Sequence, residues 1–250
     1  MKPIERIILA LDVSDYGEAI EIIEKFKGHI NIFKVGSELF TSTGPRIIED
    51  IHKKGGKVFL DLKYHDIPST VSRAAIVAAE LGVFMFNIHT LGGLEMMRKT
   101  AQTLAELSLK KNIQRPRLLG VTILTSIDQT ALRDELGIEQ RMTTQVKHLA
   151  GLALKAGLDG VIASPHEIET IRAHCGDNFL IITPGIRPSR SESSRRVAPT
   201  WTQQDDQKRT MTPKEALRKG ADYLVIGRAI LSQPDPVNAL NRIIEEITNA

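Results

Sequence analysis

The chain has 250 residues, 42% hydrophobic and 25% charged, an ordinary globular composition rather than a disordered or fibrous one. A formal net charge of +3 does not by itself imply nucleic acid, and 4% aromatic residues argues against a base-stacking surface. One cysteine, Cys175, excludes an internal disulfide framework and fits a reducing compartment.

The first apolar run, "RIILALDV", ends at Asp12 and is too short for a signal peptide. It leads into a helical pattern, "YGEAIEIIEKF". The same alternation then repeats. "NIFKVG" leads to "GPRIIEDIHKKGG", "KVFLDLK" to "PSTVSRAAIVAAELG", and "FMFNIHT" to "GLEMMRKTAQTLAELSLKK". "RLLGVTIL" is followed by two helical patterns, near "QTALRDELG" and in "MTTQVKHLAGLALKAG". "DGVIASP" leads to "HEIETIRAHCG", "FLIITPGI" to a long polar segment and "TPKEALRKG", and "DYLVIG" to "DPVNALNRIIEEI".

The strand runs are almost continuously apolar, as strands buried on both faces must be. Glycines close several of the helical patterns, where a left-handed cap is needed. Eight βα units in 250 residues is the size at which an α/β barrel closes, so the fold class expected is α/β, a single (β/α)8 TIM barrel spanning 1–250. A doubly wound sheet is the alternative, but no GxGxxG follows the first strand. No stretch approaches the roughly 20 apolar residues that span a bilayer, so no membrane association and a cytoplasmic location are expected.

In such a barrel the reacting groups sit at the C-terminal ends of the strands. The polar residues there are Asp12, Lys34, Asp61 and Lys63, His89, Thr122 and Thr125, Ser164, Arg187, Gly227 and Arg228. The segment Asp61–Thr70, "DLKYHDIPST", places two carboxylates and a lysine within six residues where the chain leaves a buried strand. Charges at such a place are costly unless paired or used. On an extended strand Asp61 and Lys63 share one face and Leu62 takes the other. A row Lys34, Asp61, Lys63, with Asp66 further on, would let each charge satisfy another and hold a lysine protonated as a general acid. A structural ion pair, helix capping or a Mg²⁺ site would explain parts of it. A lysine at the centre would repel a cation, however, and "HEIET" at 166–170 lacks the second histidine of a zinc motif.

The last two strands close with "TPGIRP" and "VIGRAI", where barrels often bind phosphate. Gly227 allows a main-chain N–H close to an oxyanion, and Arg187 and Arg228 each offer a planar fork of donors. Between them lies a polar segment, 188–206, basic in its middle and holding the lone tryptophan, Trp201. The expectation is a loop over the phosphate site.

The motifs "LALDV", "FKVG", "FLDLKYHDIPST", "VTILTS", "TPGIRP", "DQKRTMTP" and "YLVIGRAI", in this order along the whole chain, resemble the orotidine 5′-monophosphate decarboxylases. The resemblance implies conversion of orotidine 5′-monophosphate to UMP and CO₂, the last step of UMP synthesis, with no metal or other cofactor. It implies that Asp12 and Lys34 hold the ribose hydroxyls and that Lys34, Asp61, Lys63 and Asp66 form a charged catalytic network with Lys63 as proton donor. It implies a homodimer in which Asp66 and Thr70 reach the partner's site. Thr125 and Ser164 would lie near the pyrimidine, and Arg187, Gln207, Gly227 and Arg228 would grip the phosphate. The segment between Arg187 and Gln207 is longer than is usual in this family. Two alternatives stay open: a Mg²⁺-dependent sugar-phosphate decarboxylase or aldolase sharing D-x-K-x-x-D, and a barrel that binds a phosphate ligand without chemistry.

Overall fold

Ile7–Leu11 (β1) is buried at every position, because a strand in an all-parallel sheet has neighbours on both faces. The computed structural model describes residues 2–188 and 209–248. Within them β1 is followed by Ile32–Gly36 (β2), Lys57–Tyr64 (β3), Met85–His89 (β4) and Arg117–Val121 (β5). Gly160–Ile162 (β6), Leu180–Thr183 (β7) and Tyr223–Ile226 (β8) complete the sheet. Each strand pairs in parallel with the next, and β8 returns to β1 with Val225 opposite Ile8. The result is the closed eight-stranded barrel that the sequence predicts.

Helices wrap the outside. Tyr16–Phe26 (α1), Ser37–Thr43 (α2) and Arg46–Lys53 (α3) precede β3, and Pro68–Glu80 (α4) and Gly93–Lys111 (α5) flank β4. Gln129–Asp134 (α6) and Met142–Lys155 (α7) follow β5, and Ile168–Cys175 (α8) follows β6. Pro213–Arg218 (α9), Arg228–Leu231 (α10) and Pro236–Thr248 (α11) complete the described helices. Among the described residues no helix is long and apolar enough to cross a membrane.

Strand periodicity divides the core in two. Ile8, Ile32, Phe59, Met85, Leu119 and Ile182 meet inside the barrel. Their neighbours in sequence, such as Ile7, Leu9, Val58 and Leu60, meet the helices instead. In α1 the residues turned inward are Ala19, Ile23 and Phe26, at the spacing of one helical face. Asp15 caps that helix by accepting the Glu18 N–H at 2.8 Å. The apolar plug fills the lower barrel, so inward positions one or two steps further along each strand are free to carry polar groups at the upper rim.

The lower rim is tied by a repeated device. Asp159 accepts the Leu118 N–H at 2.7 Å and Arg115 at 2.8 Å, and Asp222 accepts the Ile181 N–H at 2.8 Å and Arg172 at 2.7 Å. The strands expected from "DGVIASP" and "DYLVIG" therefore begin after their aspartates, which serve the neighbouring strand.

Two features differ from the sequence expectation. The short helix α2 is not legible in "SELFTST", because it buries only Leu39 and shows no apolar stripe. The strand expected in "RLLGVTIL" stops at Val121. Beyond it the Thr122 hydroxyl donates to the Ile162 carbonyl at 3.0 Å. The expected loop 188–206 lies, Pro188 apart, outside the described residues.

Candidate active site

Asp12, Lys34 and Asp61 stand at adjoining points of the upper rim because β1, β2 and β3 pair in register, Ala10 with Lys34 and Gly36 with Asp61. The Lys34 ammonium lies 2.7 Å from Asp12 Oδ1 and 3.5 Å from Asp61 Oδ2. The Lys63 ammonium lies 2.8 Å from Asp61 Oδ1. The side chains of Lys34 and Asp61 are only 10% and 12% exposed, against 54% for Asp12 and 35% for Lys63. The row thus has a desolvated centre and two open ends. A Cβ at Gly36 would come within 3.1 Å of Lys34 Nζ, so glycine there leaves the ammonium its space.

Burial alone would discharge both central groups. It would lower the Lys34 pKa, but the charges of Asp61 and Asp12 outweigh it and the pKa is raised. It would raise that of Asp61, but Lys34 and Lys63 outweigh it and the carboxyl is held below its usual range. Both therefore stay ionised at neutral pH. The carboxylates of Asp12 and Asp61 are engaged by ammonium groups. Among the described residues no three or more His, Cys, Asp or Glu side chains cluster as metal ligands.

Asp61 and Lys63 do meet, but not through strand alternation. Lys63 has φ 51°, in the left-handed region, which a lysine adopts only when its surroundings force it. The β3–β4 register shifts at the same place: Leu60 pairs with Phe86, and the next pair is Tyr64 with Ile88. Three residues of β3 therefore face one residue of β4, Asn87. Its Oδ1 accepts the Lys63 N–H at 2.7 Å and its Nδ2 donates to Asp61 Oδ1 at 2.6 Å. Asn87 was not singled out from the sequence. The available signal was a polar residue inside the apolar run "FMFNIH", on the same face as Met85.

The row borders a cavity of about 270 Å³ at the upper end of the barrel. Asp12, Lys34, Asp61, Lys63, Thr125, Arg187, Gly227 and Arg228, all expected from the sequence, line it together. Ser126, also in the lining, was missed. A Cβ at Gly227 would meet Asp12 Oδ2 at 3.2 Å and Ala10 Cβ at 3.1 Å, so a side chain there would press on β1 and on the Asp12 carboxylate.

The arginine side of the cavity is braced at the ends of the undescribed segment. Ile186 and Met211 form a parallel bridge, and the Arg187 N–H donates to the Met211 carbonyl at 2.9 Å. Arg209 forms a nearly buried ion pair with Glu167 and donates to the Leu124 carbonyl at 3.2 Å. Burial pushes the Glu167 carboxyl up, against the opposing charge of Arg209.

Among the described residues, five expected ones, Asp66, Thr70, His89, Thr122 and Ser164, do not line this cavity. Ser164 is fully buried and its hydroxyl caps the 3-10 turn Pro165–Glu167, accepting the His166 N–H at 3.4 Å. Asp66 is exposed, accepts the Ile67 N–H at 2.6 Å, and forms no ion pair among the described residues. The charged row therefore ends at Lys63 within one chain. Asp66 instead lines a shallow surface hollow with His65, Ile67, Pro68, Leu91 and Gly92. Thr70, in the first turn of α4, lines neither. Gln207 lies outside the described residues. His89 is half-buried, its ring 5.3 Å from that of His65, and burial, reinforced by His65 and Lys63, lowers its pKa to about 4.

Comparison with known proteins identifies the family. The profile of the "Orotidine 5'-phosphate decarboxylase / HUMPS family" matches residues 5–243. A relative from Geotalea uraniireducens named "Orotidine 5'-phosphate decarboxylase" is 50% identical over 242 residues, covering 97% of this chain and 95% of the relative. One of the same name from Syntrophomonas wolfei is 45% identical over 248 residues, covering 99% of each. The crystal structure of orotidine 5'-phosphate decarboxylase from Lactobacillus acidophilus superposes with a TM-score of 0.81 at 35% identity, covering 98% of this chain and all of that one.

Proposed function

The chain belongs to the orotidine 5'-phosphate decarboxylase / HUMPS family, and we propose that it decarboxylates orotidine 5′-monophosphate to UMP and CO₂ in the cytoplasm. The observation that carries this reading is the row Asp12–Lys34–Asp61–Lys63, desolvated at its centre, with one ammonium at an open end on the cavity wall.

In this reading the bond between C6 of the pyrimidine and the carboxyl carbon breaks, CO₂ leaves, and the electron pair remains on C6. Lys63 Nζ is the nearest cationic donor at the open end of the row. It stabilises the developing carbanion and transfers a proton to C6, a role worth roughly 10²–10⁴-fold in rate. The amine left behind recovers its proton from solvent. Asp61 holds the ammonium of Lys63 and opposes the substrate carboxylate, an interaction relieved as CO₂ departs. Lys34, fixed between two carboxylates, keeps the array charged and with Asp12 holds the ribose hydroxyls.

Arg187, Gly227 and Arg228 bind the phosphate at the other side of the cavity, where binding energy remote from C6 contributes to transition-state stabilisation. This reading assigns Gln207 to the same phosphate grip and treats the chain as a one-domain barrel. Thr125 faces the pyrimidine. Asp66 and Thr70 serve the site of a second copy in a homodimer. Both lie outside their own cavity, and Asp66 sits beside exposed Ile67 and Leu91, which supports that assignment.

The test is turnover of orotidine 5′-monophosphate followed by loss of substrate absorbance, with and without EDTA. Equal rates with and without chelator are expected. Activity abolished by EDTA and restored by Mg²⁺ would move the chain to a metal-dependent reading. Tight binding of UMP without turnover would reduce it to a binding barrel.

A further inference from the structure

Among the described residues, Asn87 stands where the register of the β3–β4 ladder shifts. Between the pairs Leu60–Phe86 and Tyr64–Ile88, the three residues Asp61, Leu62 and Lys63 face Asn87 alone. A parallel ladder cannot satisfy unequal numbers of residues, and buried main-chain donors left without partners are costly. The fully buried amide of Asn87 supplies what the ladder lacks, taking the Lys63 N–H at one end of the bulge and giving a hydrogen bond to Asp61 at the other. Its orientation is fixed by chemistry: a main-chain N–H requires the oxygen and a carboxylate requires the NH₂.

We infer that Asn87 is a positioning residue for the proposed decarboxylation, holding the Lys63 backbone in its left-handed turn and the Asp61 carboxylate in line with the Lys63 ammonium. The two amide contacts and the contact from Lys63 Nζ to Asp61 Oδ1 close one loop of three interactions. Without Asn87, Lys63 has no partner for its N–H on β4 and relaxes toward ordinary φ. That swings its side chain toward the other face of the strand. Asn87 itself is not among the residues lining the cavity, so its effect on the reaction passes through Lys63 and Asp61.

The inference rests on the proposed reaction, and its test separates the two. If the wild-type protein fails to turn over orotidine 5′-monophosphate, the functional reading fails while the structural arm below still decides the role of Asn87. In the kinetic arm, Asn87→Ala is expected to lower kcat about 100-fold, while UMP affinity, set mainly on the arginine side, changes less than about threefold. Asn87→Asp keeps the shape and the acceptor for Lys63 but sets a second carboxylate against Asp61. The acid limb of its kcat/KM profile is expected to move to higher pH. In the structural arm, hydrogen exchange on the wild-type protein should find the Lys63 amide strongly protected. Rapid exchange of that amide would overturn the inference even if neither variant folds. So would wild-type kcat per folded molecule in Asn87→Ala, or an unmoved pH profile in Asn87→Asp.

Discussion

Lys34 and Asp61 face each other across β2 and β3, with Nζ 3.5 Å from Oδ2 and both side chains nearly removed from solvent. Each keeps the other ionised. Asp61, held below its ordinary carboxylate range, contributes stability that is fully present above its unfolded pKa and is lost as pH falls from there through the lowered folded value. Replacing Lys34 by methionine leaves a buried carboxylate with Lys63 and Asn87 alone. We expect a loss of about 3 kcal/mol in stability and about 100-fold in kcat/KM. The double variant Lys34→Met/Asp61→Asn should unfold in urea with a coupling between the sites of about 0.5–3 kcal/mol. Strict additivity would remove the interaction.

Lys63 stands in the left-handed region, where a Cβ costs about 1–2 kcal/mol and glycine costs nothing. Lys63→Gly should therefore be more stable to urea than Lys63→Ala by about 1 kcal/mol, the reverse of the usual order inside a strand. Both should lose nearly all turnover. Equal stabilities, or alanine the more stable, would show that the turn at Lys63 is not strained.

His89 is held neutral to about pH 4 against an ordinary value of 6.5. Between those values the unfolded chain binds a proton that the folded chain refuses. Folding stability should therefore fall as pH drops from 6.5 toward 4, by at most about 1.4 kcal/mol per pH unit from this group. His89→Gln should flatten the slope over that interval in urea titrations. Parallel curves for the two proteins would contradict the lowered pKa.

The proposed homodimer makes a statistical prediction. Asp66→Ala and Lys63→Ala should each be nearly inactive. Mixed one to one and allowed to exchange subunits, they should recover about a quarter of wild-type activity, because half the dimers are mixed and each mixed dimer has one intact site. Exchange shown by mass spectrometry with no recovery would place Asp66 outside the partner's site.

The alternation of apolar runs and amphipathic stripes was sufficient to determine the barrel, because both periods are local properties of the chain. Strand-end position was sufficient to nominate Asp12, Lys34, Asp61, Lys63, Arg187, Gly227 and Arg228, since closing a parallel sheet brings every strand end to one rim. Ser164 satisfied the same rule, yet its hydroxyl is spent on a turn. Spacing along the chain does not say which way a side chain turns once the strand has ended.

What only the tertiary structure decided is how Asp61 and Lys63 come together. Strand alternation predicted a shared face, but the contact depends on a bulge, a left-handed lysine and an asparagine 24 residues away. Register is a relation between two strands, and neither strand encodes it alone. The same holds for the ionisation of the row. Lysine and aspartate are written in the sequence, but their charges persist in a desolvated place only because folding sets Asp12, Lys34, Asp61 and Lys63 within a few ångströms of one another.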